Sequence, residues 1–366
     1  MAIGFRSLLF GALVAIAAAS VAVAEVTDPG QPGPFASGVV QVDIPVGDGG
    51  ETRSTAVYVP EGTGGGVDPA AGRCPVAVFG HGFTRSPARY TDLGEHLASR
   101  GFLVAIPDFV CSILGGCDHD RNADEMVDVV DWMVDADADP GSIFFGRVDT
   151  SRIATSGHSA GGLQAIVAAS RDPRVDAVAP LDPVDNGGLG VSALPSVDAA
   201  VAITYSEPSS CNAGGSPEDL YAAASAPKRG VKVVGSTHCD PEKDGDYLGC
   251  ELFCGSWDAG RHELYVGYVT GWIEYFLRCD PEYLEWTIGG RVQADVTAGL
   301  VTYDADLTPE PPVGVSAVWH PDGVLIGRQP VPGCRGISSW RVYRSPAPGG
   351  PHTLVGDGIP VAETQW

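Results

Sequence analysis

Ile153-Ala154-Thr155-Ser156-Gly157-His158-Ser159-Ala160-Gly161-Gly162-Leu163 joins a short apolar run to a glycine-flanked turn and then to a helix whose apolar positions recur at Leu163, Ile166 and Val167. Strand, sharp turn and helix in that order are the setting in which a serine between two glycines becomes a nucleophile elbow. The glycines at Ser159 minus two and plus two are expected because the turn brings strand and helix backbones too close for side chains. In a chain with 49 glycines the five-residue pattern alone means little, so its context carries the reading.

Outward from this point the chain alternates. Pro75 to Phe79, Phe102 to Ile106, Ile153 to Ser156, Val175 to Leu181, Ala199 to Tyr205 and Val231 to Gly235 are apolar runs bounded by Gly, Pro or Asp. Continuous apolar runs of this length suit strands covered on both faces of a parallel sheet. Between them, Tyr90, Leu93 and Leu97, then Met126, Val129, Val130, Met133 and Val134, recur at helical spacing, and a last helix is expected from about His262 to Arg278. The predicted fold class is therefore α/β, a mostly parallel central sheet flanked by crossover helices, preceded by strands at Val39 to Ile44 and Arg53 to Val59.

Three segments are expected in all. Residues 1–24 read as a signal peptide, with Arg6, an apolar run from Leu8 to Val23 and the small-residue ending Ala22-Val23-Ala24. Residues 25–285 form the α/β domain. Residues 286–366, rich in Pro, Gly, Val and Thr, are expected to be a linker and a small β module. The leader implies a secreted or periplasmic protein, and no other stretch is apolar enough to span a membrane. The formal charge of −24 argues against nucleic acid and anionic lipid as partners.

A serine hydroxyl needs a base to take its proton and an acid to orient that base. His238 follows the run Val231 to Gly235 and is the expected base. Asp182, in Leu181-Asp182-Pro183-Val184-Asp185, is the expected acid, with Glu207 as the alternative and Asp185 as a third choice. Gly80-His81-Gly82-Phe83 follows an early strand, so the backbone N–H groups of Phe83 and Ala160 are the expected oxyanion donors. No metal or organic cofactor is required. Asp118, Asp120, Asn122 and Asp124 lack the glycine and glutamate of a calcium loop and read as an acidic helix start.

Of nine cysteines, Cys111 and Cys117 are expected to close a small loop, and Cys211, Cys239, Cys250 and Cys254 to brace the walls around His238. A metal site at Cys250 and Cys254 is the rival reading, weakened by the lack of a second matched pair. The odd count leaves one thiol over. Cys74, Cys279 and Cys334 complete the set.

The chain from about Cys74 to Asp280 resembles the chlorophyllase branch of the α/β-hydrolases, related to the cutinase-like polyester hydrolases. The resemblance rests on Gly80-His81-Gly82-Phe83, Glu95-His96-Leu97-Ala98-Ser99-Arg100-Gly101-Phe102, Gly157-His158-Ser159-Ala160-Gly161-Gly162, Leu181 to Asp185, His238-Cys239-Asp240 and Phe276-Leu277-Arg278-Cys279. It implies the α/β-hydrolase fold, a triad of Ser159, Asp182 and His238, and hydrolysis of a carboxylic ester with an apolar acyl or alkyl group. Chlorophyllases carry a bulky basic residue where this chain has Ala160, and the polyester hydrolases place their acid after the following strand. The run from Pro311 through Val315, Val324, Ser339 to Ser345 and Pro348 to Leu354 resembles part of a fibronectin type III domain, which implies contact with a surface or polymer. The rivals are a lipase or polyester hydrolase of the same fold, and a non-catalytic binding or adhesion protein.

Overall fold

The computed structural model describes residues 28–247, 249–278 and 280–307, together with the backbone of four strands between 316 and 360. The expected leader, residues 1–24, lies outside the described residues.

The chain opens with the antiparallel pair β1 (Ser37–Val46) and β2 (Glu51–Pro60). β3 (Cys74–Gly80), helix α1 (Thr91–Ser99) and β4 (Leu103–Pro107) form the first crossover unit, with β3 and β4 parallel. A two-stranded hairpin follows, β5 (Cys111–Ser112) and β6 (Gly116–Cys117), and then the long helix α2 (His119–Ala138). β7 (Val148–His158), α3 (Ala160–Arg171), β8 (Val175–Leu181), α4 (Leu189–Ala193), β9 (Ala200–Tyr205), α5 (Ser216–Ala223) and β10 (Lys228–Val233) continue the alternation. α6 (Cys250–Cys254), α7 (Ala259–Arg278), α8 (Gly290–Thr297) and β11 (Val301–Asp306) complete it. One sheet of nine strands results, in the order β1-β2-β4-β3-β7-β8-β9-β10-β11, with β3, β4 and β7 to β10 parallel. This is the α/β-hydrolase arrangement expected from the sequence.

The inner stretches of the central strands are mostly apolar because both of their faces are covered, and Asp176 of β8 is a buried exception that accepts from the Ile153 N–H at 3.3 Å. Every residue of β3, β4 and β8 is buried. Val76 and Val78 pack with Met126, Val129, Met133 and Ile166 of α2 and α3. Ala77 and Phe79 point the other way, toward Leu93 and Leu97 of α1 and Tyr265, Trp272 and Ile273 of α7. Each side chain on a strand alternates between the two helical layers, so a one-residue slip would exchange the two cores. Asp118 caps α2, its carboxylate accepting from the Arg121 N–H at 3.1 Å, as the acidic helix start implied.

The sheet and its core continue past residue 285, where the sequence places a domain boundary. α8 and β11 lie beyond it, and β11 pairs antiparallel with β10 from Lys228↔Asp306 to Val233↔Val301. Val292 and Val301 are buried in the same core as α7. The buried Arg229 guanidinium donates to the carbonyls of Trp286 and Tyr268, both at 2.8 Å, tying the segment to α7. The reason is physical: β11 is an edge strand, buried at Val301 and alternately open beyond it, and so reads as a strand of some other, half-exposed sheet. The α/β unit thus reaches residue 306.

After it come two antiparallel pairs, β12 (Ser316–His320) with β13 (Gly323–Gly327), and β14 (Ser339–Arg344) with β15 (Thr353–Pro360). Residues Pro311 through Val315 and Pro348 to Pro351, which carry much of the fibronectin resemblance, lie outside the described residues. Among the described residues no helix is long and apolar enough to cross a membrane.

Candidate active site

All the parallel strands end at one edge, and that edge holds the site. β7 ends at His158, and Ser159 turns the chain into α3 with φ 57° and ψ −118°. A positive φ is costly for a side-chain-bearing residue, about 1–3 kcal/mol, and persists only where the surroundings enforce it. Here the Ser159 N–H donates to Leu181 O at 3.1 Å, while its carbonyl accepts from Val184 and Leu163 at 3.1 and 3.2 Å. The flanking glycines are required by close approach: a Cβ on Gly161 would stand 2.1 Å from Gly80 O, and one on Gly157 would stand 2.5 Å from Gly161 O.

The turn aims the serine hydroxyl at His238. Ser159 Oγ lies 2.9 Å from His238 Nε2, and His238 Nδ1 lies 2.6 Å from Asp182 Oδ2. This alignment calls for Nδ1–H donating to the carboxylate and leaves Nε2 to accept the serine proton. Asp182 sits one residue past β8, at φ 40°, with its N–H on Thr204 O at 2.7 Å. Its carboxylate also accepts from the Ser206 N–H at 3.0 Å, the Ser206 hydroxyl at 2.6 Å and Asn212 Nδ2 at 3.3 Å. Ser206 and Asn212 were not foreseen from the sequence; the polar cluster Ser206 to Asn212 directly after a buried strand is the signal that could have marked them.

Glu207 is placed elsewhere. Its side chain is 40% exposed, faces Lys232 Nζ at 3.3 Å and accepts from the Gly235 N–H at 3.0 Å. Asp185 accepts from the Val191 N–H at 2.9 Å, at the start of α4. Neither takes a place on His238.

Of the two expected oxyanion donors, Ala160 follows the serine in the chain and Phe83 lines the same cleft. Ala160 is the first residue of α3, where a backbone N–H has no partner inside the helix and the helix dipole is positive. Phe83 follows Gly82, whose N–H donates to the Tyr90 hydroxyl at 3.1 Å, and precedes Thr84 at φ 59°. Tyr90 also bonds His158 Nδ1 at 2.9 Å, and the His158 ring lies 4.6 Å from that of His238. Burial, aided by the neighbouring His238, holds the His158 imidazole well below its ordinary value and therefore neutral.

The serine opens into a cleft of about 230 Å³ whose lining includes Phe83, Arg85, Ser159, His238, Glu242 and Phe253. Phe83 and Phe253 present apolar walls to solvent. In the same lining Arg85 Nε meets Glu242 at 2.8 Å, and its Nη1 meets Asp246 at 3.0 Å. Burial pushes the Glu242 carboxyl up, against the pull of Arg85 and Arg89. Glu242 had no distinguishing mark in the sequence.

Disulfides brace the walls as expected. Cys211 pairs with Cys254 and Cys239 with Cys250, while Cys111 pairs with Cys117 on the β5–β6 hairpin. The sulfurs of Cys239, Cys250 and Cys254 lie within 4.8 Å of one another, the spacing of a metal cluster. Bridged sulfurs are not thiolates, so this group does not fit a metal ion. Among the described residues Cys74 is the free cysteine, buried, its thiol pushed up to about 11 by burial.

Residues 22–203 match the family model described as PET hydrolase-like. Over 102 residues, 28% of this chain, the sequence is 34% identical to Cutinase 2 of Thermobifida cellulosilytica, covering 37% of that protein. Over the same length it is 34% identical to Cutinase cut1 of Thermobifida fusca, covering 30% of it, and 33% identical to Cutinase est2 of Thermobifida alba, covering 32%. The matched stretch therefore spans about a third of the length of these relatives. The cutinase side of the resemblance is the one these matches support.

Proposed function

We propose that this protein is an exported serine carboxylic ester hydrolase, similar to the PET hydrolases and cutinases it matches, that works through an acyl-enzyme. Ser159 Oγ attacks the acyl carbon as His238 Nε2 takes its proton. The Phe83 and Ala160 N–H groups hold the oxygen that becomes negative, which typically contributes about 3 kcal/mol per donor. The tetrahedral species collapses, the alkoxide leaves with the proton from His238, and the acyl group stays on Ser159. Water then attacks that ester with His238 again as base, releasing the acid and restoring the serine. Asp182 orients the imidazole and stabilises its charged form throughout.

The observation that carries this reading is the continuous relay of 2.9 and 2.6 Å from Ser159 through His238 to Asp182. Export is supported by the leader-like residues 1–24 and by three disulfides, which form in oxidising compartments. A polyester substrate is the second reading, favoured by the family match and by the exposed aromatic walls at Phe83 and Phe253.

Ser159→Ala should abolish hydrolysis of short p-nitrophenyl esters and labelling by a fluorophosphonate probe, while the parent protein shows both. Undiminished turnover in the variant would end the proposal, and a parent protein that neither turns over nor labels would be a binding protein.

A further inference from the structure

Three buried polar rings near the serine have no part in the relay of Ser159, His238 and Asp182. They are His81, directly after β3, Tyr90, directly before α1, and His158, at the end of β7. All three surround Gly82, the buried residue before the expected oxyanion donor Phe83. What each atom can do fixes where the protons are. The Gly82 N–H can only donate, so the Tyr90 oxygen accepts it at 3.1 Å. Burial pushes the Tyr90 hydroxyl well above its ordinary value, so it keeps its own proton. That proton has His158 Nδ1 as its acceptor at 2.9 Å, and the neutral His158 ring therefore carries its hydrogen on Nε2. The Gly82 carbonyl can only accept. It takes the His81 Nδ1–H at 2.9 Å together with the Arg85 N–H at 3.0 Å. His81 is thus in the opposite tautomer to His158, and burial lowers its pKa in favour of the neutral ring.

Both polar groups of Gly82 are held by buried side chains, and the consequence reaches the next residue. A peptide unit is planar, so the Gly82 carbonyl and the Phe83 N–H lie in one plane and turn together. Glycine has more backbone freedom to restrain than any other residue. The close approach of the rings calls for it here, since a Cβ on Gly82 would stand 3.2 Å from the Tyr90 hydroxyl and 3.4 Å from His158 Nδ1. An oxyanion donor that is already in place needs no reorganisation as the charge forms, and its effect on rate comes from that.

We propose that Tyr90 and His81 are positioning residues that fix the Gly82–Phe83 peptide and so aim the Phe83 N–H at the oxyanion, with His158 supplying the acceptor that orients the Tyr90 hydroxyl. The proposal rests on the ester-hydrolase reading, in which the Phe83 N–H is one of two oxyanion donors. The relay itself is steadied by other groups, Ser206 and Asn212 on Asp182, so the two supports can be disturbed one at a time.

The experiment uses the full chain and the variants Tyr90→Phe, His81→Phe and His81→Asn, with rates on p-nitrophenyl acetate expressed per folded protein. Tyr90→Phe keeps the ring beside Phe79, at 4.9 Å, and removes only the hydroxyl, which leaves the buried Gly82 N–H unpaired. Its kcat should fall about tenfold with KM nearly constant, a part of the roughly 10²–10³-fold loss that follows outright removal of an oxyanion donor. A short alkyl trifluoromethyl ketone supplies the readout that a merely structural role would not move. Ser159 Oγ bonds to its carbonyl carbon, the C=O π pair goes to the oxygen, and the serine proton passes to His238, leaving a stable tetrahedral anion. Its inhibition constant should rise by the same factor as kcat/KM falls. His81→Phe keeps a ring near Phe109 and should behave alike, while His81→Asn, with an amide N–H to offer in place of Nδ1–H, should recover most of the loss. The acid limb of the kcat/KM profile, set by His238, should stay in place throughout.

Turnover of both ring variants within about twofold of the parent overturns the proposal, against the far larger loss expected of a misaimed oxyanion donor. A fall in kcat with unchanged ketone affinity overturns it as well. A shifted acid limb overturns it in favour of action on the base through His158, whose ring lies 4.6 Å from that of His238. A parent protein without turnover or ketone adduct ends the ester-hydrolase reading itself, whereas an active parent with indifferent variants ends only this one.

Discussion

β8 and β9 are neighbours, parallel, and each delivers a carboxylate to the same edge of the sheet, yet the two acids live in different chemistry. Asp182, past β8, is inaccessible to solvent and receives donors from Ser206, Asn212 and His238. Glu207, past β9, is part-exposed and shares its charge with Lys232 and a backbone N–H. A buried carboxylate with a full set of donors is held in one orientation, whereas an exposed one is solvated and free to turn. The end of β9 has a function nonetheless, because Ser206 and Asn212 spend their hydrogen bonds on the acid of the adjacent strand. Position on the edge is common to both; the surrounding donors separate them.

The strongest way to break this contrast is Asp182→Asn. It keeps the shape but offers a donor where an acceptor is needed, and should lower kcat on p-nitrophenyl esters on the order of 10⁴-fold. A loss below tenfold, with the circular dichroism unchanged, would hand the orienting role to another group. Next comes Ser206→Ala, which removes the 2.6 Å donor to Oδ2. Turnover should fall on the order of tenfold with KM nearly constant, as befits a hydrogen bond to a charged group, and Ser206→Thr should restore most of it.

These comparisons should be made above the imidazole range, because the buried His96 is expected to weaken the fold in acid. Burial lowers His96 from 6.5 to about 4, with its Nε2–H donating to Pro29 O at 2.7 Å. An unfolded chain accepts a proton there that the folded chain refuses, so this contribution is complete above 6.5 and is lost as pH falls toward 4. His96→Gln should flatten the drop in urea-unfolding free energy between pH 7 and 5 by up to about 2 kcal/mol. An identical slope in both proteins would show that His96 is not a source. The smallest effect is expected from Glu207→Ala, which removes a part-exposed ion pair contributing about 0–1 kcal/mol and should leave turnover within about twofold. A larger loss there than at Asp182 would invert the comparison.

The sequence exposes the centre of the molecule better than its margins. Strands buried on both faces, such as Leu103 to Pro107, show as apolar runs, and the elbow shows because glycine is the residue that fits between Gly80 and the start of α3. Ser159 and Asp182 stand directly after buried strand ends, and His238 comes a short loop after the end of β10 at Val233. β11 does not show, because an edge strand with an open face alternates like a strand from a different sheet, and α8 is only eight residues between glycines. The partners of Asp182 and the buried Glu242 were hidden for another reason. Serine, asparagine and glutamate are ordinary loop residues until the fold withdraws them from water, and local spacing does not encode that withdrawal.

The bond between Cys211 and Cys254 joins the loop beyond β9 to the loop beyond β10, immediately beside Asn212, which steadies the acid, and downstream of His238. A thermal excursion of either loop is therefore passed to the other, and acid and base drift together more than apart. On warming, the separation that proton transfer depends on is guarded by a covalent tether before any hydrogen bond is called upon. Heat should thus erode this protein's outer layers sooner than the spacing of its reactive groups.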